Sequence, residues 1–98
     1  DLQSKIQMIL NKRYRDGRNT LVQRVSKTVR PGDVLETAYK VLRARKLSRS
    51  GNLYATPINV RKDDPSKYVQ LMPQEVLFIK RRGRVIFSLN ELWHELGL

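Results

Sequence analysis

The sequence predicts an α+β fold in one domain over residues 1–98: N-terminal helices, a small antiparallel sheet with a basic-tipped β-hairpin, and a C-terminal helix, in a winged-helix-like arrangement. Three observations predict it. Apolar residues of the first half recur at helical spacing, whereas those of the second half cluster in short runs separated by turn residues. Between two of these runs, Val76-Leu77-Phe78-Ile79 and Val85-Ile86-Phe87, stands the segment Lys80-Arg81-Arg82-Gly83-Arg84. Gly83 supplies the positive φ that a short hairpin loop needs, so four cations are expected at a β-hairpin tip.

The elements follow in order. Leu2, Ile6, Ile9 and Leu10 give an amphipathic helix over about 2–14, which Asp16-Gly17 is expected to stop. Thr20 and Gln23 make a capping-box pattern before Leu21, Val22, Val25 and Val29, a stripe that suits a second helix and equally a strand. Arg30-Pro31-Gly32 reads as a turn. Asp33 with Glu36 three residues on resembles another helix cap, and Val34, Leu35, Ala38, Val41 and Leu42 then predict a helix over 34–47. Ser48 to Asn52 breaks regular structure. Leu53 to Val60 reads as an edge strand, because Pro57 cannot donate to a ladder. Lys62 to Lys67 is a polar turn, Tyr68 to Met72 a short strand, and Pro73-Gln74 a break before the hairpin. Ser88 and Glu91 form a capping box for a last helix whose stripe is Leu89, Leu92, Trp93 and Leu96, with Gly97 at its stop.

Charge decides the function class. The formal net charge is +11, beyond the magnitude of about 2–8 that keeps a small domain soluble. Residues 1–50 hold thirteen Lys and Arg against four Asp and Glu, and residues 51–98 hold seven against five. An anionic partner is implied, and with it a nucleic-acid-binding surface. The candidate contacts are Lys80, Arg81, Arg82 and Arg84 at the tip, Lys40, Arg43, Arg45, Lys46 and Arg49 on the end of the 34–47 helix, and Arg13 and Arg15 beside Tyr14. Part of the helix-end basicity has a local explanation, since cations complement the helix dipole there. Asp33 and Glu36 make the start of that helix unwelcoming to DNA, so its role is expected to be phosphate contact rather than base reading.

Other chemistries find little. Tyr14 and Tyr54 are candidates for base stacking, although a half-buried tyrosine with a wet hydroxyl is the commoner arrangement. Trp93 reads as core. Glu91 and His94 share a helical face but lack further metal ligands, and Asp63-Asp64, a pair of the kind that holds a divalent cation for phosphodiester cleavage, also reads as an ordinary turn before Pro65. No P-loop, Ser-His-Asp set or Cys nucleophile appears, so no enzymatic role, cofactor or metal is expected. Cysteine is absent, which excludes disulfides and is compatible with an intracellular location, in cytoplasm, nucleus or nucleoid. No apolar run approaches the roughly 18 residues of a membrane span. The chain starts at Asp rather than Met, as a fragment or processed product does.

The segment from Gly83-Arg84-Val85 through Glu91-Leu92 to Leu96-Gly97-Leu98 resembles the strand-then-helix half of the swapped-hairpin regulators similar to AbrB. Ser88 stands where that family has proline, and the family's second β half would have to follow residue 98, so the chain is not assigned to it. The expectation is therefore a non-enzymatic nucleic-acid-binding domain, with DNA slightly favoured over RNA because a basic hairpin beside a basic helix suits a duplex groove. Many duplex readers are dimers, and a homodimer is compatible with this reading. The alternative is a structural subunit of a ribonucleoprotein or other assembly, whose cations meet RNA or acidic protein.

Overall fold

A computed structural model describes residues 1–49 and 51–97, with the side chains of Ile9, Leu10, Arg13, Tyr14 and Arg18 outside the description. The chain opens with one long helix, α1 (Leu2–Thr28), capped by the Asp1 carboxylate, which accepts the Gln3 N–H. Among the described residues six strands follow: β1 (Val34–Glu36), β2 (Val41–Leu47), β3 (Leu53–Pro57), β4 (Val69–Leu71), β5 (Phe78–Arg81) and β6 (Arg84–Ser88). A short helix, α2 (Leu89–Glu95), ends the domain. The strands form one antiparallel sheet in the order β4-β3-β2-β1-β5-β6. The fold is α+β, with a helix at each end of the chain.

Helix α1 runs through Asp16-Gly17 rather than stopping there. An interior glycine costs only about 1 kcal/mol, and a register that buries Leu21, Val25 and Val29 against the sheet outweighs it. Thr20 is accordingly not a cap; its hydroxyl donates to the Asp16 carbonyl inside the helix. Upstream of this anchored third, Leu2, Ile6 and Met8 are exposed.

The helix expected over 34–47 is a β-hairpin. Leu35 and Leu42 lie seven residues apart, two helical turns, but the same pair meets directly across β1 and β2, and both are buried. The turn between them is locked by Thr37, whose hydroxyl oxygen accepts the N–H groups of Tyr39 and Lys40. The 34–47 segment therefore supplies no helix, and the winged-helix-like arrangement that counted on one there is not formed.

Alternation then sorts the sheet into two faces. Leu35, Leu42, Ala44, Leu53, Ala55, Leu71, Ile79 and Phe87 join the α1 stripe in one core, closed at the far end by Leu92 of α2. Strand β3 is internal, not an edge. Pro57 is tolerated because the β4 ladder ends at Ala55, two residues before it. On the last helix Ser88 accepts the Glu91 N–H as expected, but Trp93 is only partly buried and Leu92 is the core residue. Leu92→Ala should therefore cost about 2–5 kcal/mol, and Trp93→Ala less than the 3–5 kcal/mol of a fully buried ring. Paired urea melts of the two variants would check this order, and a larger loss at Trp93 would contradict it.

Candidate nucleic-acid interface

The hairpin tip is smaller than the sequence implies. Strands β5 and β6 are joined by two residues, Arg82 and Gly83, at φ +53° and +75°, as in a type I′ turn. A left-handed conformation costs a side-chain-bearing residue roughly 1–2 kcal/mol, and Asn or Gly is the usual occupant of this position. An arginine is kept there all the same. Such local strain is characteristic of functional positions.

Two of the four tip cations are already neutralised. Lys80 Nζ donates to Glu36 Oε1 at 2.6 Å. Arg81 grips Asp33 with two bonds, Nε to Oδ1 at 2.8 Å and Nη2 to Oδ2 at 2.7 Å, and Nη2 also donates to the Thr28 carbonyl. The bonds from Asp33 push the already high pKa of Arg81 further up. Asp33 is 3% exposed and also accepts the Arg30 N–H, so its carboxylate ties together the end of α1, the 30–33 turn and the hairpin. The two acids that resembled a helix cap are thus the counter-charges of the hairpin. Lys80 and Arg81 are structural before they are anything else.

Arg81 thereby fixes one wall of a shallow depression of about 540 Å³, lined by Arg30, Arg81, Arg82, Arg84 and Ile86. A bulge in β6 contributes: Ile79 pairs with Phe87 and Lys80 with Val85, which leaves Ile86 unpaired beside the depression. Among the described residues, the side chains of Arg30, Arg82 and Arg84 have no acidic partner. Three uncompensated guanidiniums beside an anchored fourth suit an oxyanion, since each offers a planar fork of donors. Arg30 was missed by sequence reasoning. It precedes an ordinary turn, and only the long-range Asp33–Arg81 pair brings it to the tip.

The 40–49 segment lies elsewhere. A bulge in β2, where Ala44 pairs with Ala55 and Lys46 with Tyr54, leaves Arg45 unpaired in the ladder. The extra residue brings Arg43, Arg45 and Lys46 to the face of the sheet opposite the core, where strict alternation would have turned Lys46 away. Arg43 Nη1 donates to the Gly32 carbonyl, and Arg45 donates to Thr56 Oγ1 and the Val60 carbonyl. Lys46 is exposed, as are Lys40 in the β1–β2 turn and Arg49 beyond β2. Arg15 is exposed on α1, ahead of the buried Gly17 and Leu21, and the side chain of Arg13 lies outside the described residues. The candidate cations therefore divide among the tip depression, the open sheet face and the free half of α1.

Tyr54 meets Tyr68 across β3 and the start of β4, ring centroids 6.2 Å apart and planes inclined by 28°. Sequence reasoning singled out Tyr54 and passed over Tyr68; the side chain of Tyr14 lies outside the described residues. The Tyr68 hydroxyl donates to the Asp63 carboxylate, which pushes the phenol pKa up. Asp64 instead accepts the Ser66 hydroxyl and N–H, bonds that hold its carboxyl below its ordinary pKa. The neighbouring acids thus serve separate partners in a turn. Among the described residues no three His, Cys, Asp or Glu side chains gather as a metal site, and Glu91 and His94 are exposed on α2. No helix of the described residues is long and apolar enough to cross a membrane.

No protein-family model matches the chain, and no curated protein or solved structure matches it either.

Proposed function

We propose that this chain is a non-enzymatic nucleic-acid-binding domain that holds backbone phosphates at the Arg30, Arg82 and Arg84 depression and along the basic face of the sheet. One observation carries the reading. The domain spends Asp33 and Glu36 on Arg81 and Lys80, yet among the described residues the three neighbouring guanidiniums have no acid, and one of them is on a strained turn. A stable fold does not require such a cluster, whose mutual repulsion is relieved when a polyanion replaces its counterions. The helix that favoured a duplex groove is a β-hairpin, so the preference for DNA over RNA loses its basis.

The reading is tested by fluorescence-anisotropy titration of duplex DNA, duplex RNA and single strands of equal length at matched low salt. Binding to at least one of these probes is expected, weakening as salt rises. Absence of binding to all three would overturn the proposal.

A further inference from the structure

The sheet face opposite the core combines charge with aromatic surface. Across β3, β2, β1 and β5 the row Thr56, Arg43, Val34, Lys80 runs through directly paired residues, and the β2 bulge adds Arg45 and Lys46 beside it. Lys46 pairs directly with Tyr54, whose ring lies against that of Tyr68. The core occupies the other face, where α1 and α2 pack. Three strand spacings separate β3 from β5, so the row covers about 14 Å. Both tyrosines are half-buried.

We infer that this face is a single-strand platform, on which unpaired bases stack against the Tyr54–Tyr68 pair while the backbone follows Arg43 and Lys46 toward the hairpin. The inference rests on the nucleic-acid reading above and names the form of nucleic acid. A duplex keeps its bases stacked on one another and offers these rings nothing, whereas every unpaired base has a π-face to give. Charge favours such an occupant: along this row and bulge Arg43, Arg45, Lys46 and Lys80 outnumber the acids beside them, Glu36, which holds Lys80, and Asp63, which accepts the Tyr68 hydroxyl. Arg45 ties the segment after β3 to the sheet, donating to Thr56 Oγ1 and to the Val60 carbonyl. No strand-specific base reading is implied, because stacking tolerates any base.

The test uses the intact chain and three fluorescein-labelled probes of equal length at one salt concentration: oligo-dT, an abasic strand with the same phosphates, and a duplex. The wild type should bind oligo-dT about 5- to 150-fold more tightly than the abasic strand, the range that stacking of a single base gives. Tyr54→Leu and Tyr68→Leu should lose most of that preference while keeping duplex and abasic affinity, and Tyr54→Phe should retain it. Equal wild-type affinity for oligo-dT and the abasic strand would overturn the inference, and this comparison holds even if a tyrosine variant fails to fold. Salt-dependent binding without that preference would refute the platform but leave the nucleic-acid reading standing. Absence of binding to every probe would remove both.

Discussion

Asp33→Ala should be among the most destabilising single substitutions in this domain, lowering unfolding free energy by roughly 3 kcal/mol or more. The carboxylate is buried and accepts two bonds from Arg81 and one from the Arg30 N–H. Removing it leaves the Arg81 guanidinium with only the Thr28 carbonyl and takes the Asp33 acceptor from the Arg30 N–H, at the junction of α1, β1 and β5. For a domain of this size that loss corresponds to a fall in Tm on the order of 15 °C. Asp33→Asn keeps the shape without the charge and should fall between the wild type and the alanine variant. Arg81→Ala should also lower Tm, because it strands the buried carboxylate. Thermal melts followed by circular dichroism decide the matter. A loss below about 1 kcal/mol for Asp33→Ala would mean that the clamp is ornamental.

The second large effect is on binding. Replacing Arg30, Arg82 and Arg84 together with Ala should weaken nucleic-acid affinity on the order of a few hundredfold at 0.1 M salt, the loss expected when three phosphate contacts no longer release counterions. Stability should change little, since none of the three side chains has an acidic partner among the described residues. The Arg82 change acts on a left-handed residue, and a modest local loosening of the turn is expected with it. The loss should be nearly the same on every sequence, because phosphate contacts carry no direct base information. Replacing Lys80 and Arg81 is not an equivalent experiment. Those variants would mix weakened binding with a damaged scaffold.

How much of this was legible in the sequence differs element by element. The Leu21, Val25 and Val29 stripe, the β5–β6 hairpin and the Ser88 cap are local patterns, and local patterns are what a sequence displays. The 34–47 segment failed because Leu35 and Leu42 satisfy two geometries at once, a helical face and a cross-strand pair. The alternation of Leu42 and Ala44 with Arg43 and Arg45 was the signal that favoured a strand, and the apparent cap at Asp33 and Glu36 masked it. Both acids were committed elsewhere, to cations some 45 residues away. The depression was half visible: Arg82 and Arg84 stood out as tip cations, whereas Arg30 joined them only through the Asp33–Arg81 contact, whose partners are 48 residues apart. Tyr54 and Tyr68 were likewise separate in the sequence and meet only once β3 pairs with β4.

The central claim, that the uncompensated arginines at the hairpin tip hold phosphates, is tested most directly by the slope of log affinity against log salt for the wild type and the triple arginine variant on one duplex. Each phosphate contact contributes about 0.9 to that slope, so the variant's should be shallower by about 2.7. Parallel slopes would contradict the claim, because they would place the contacts elsewhere on the domain.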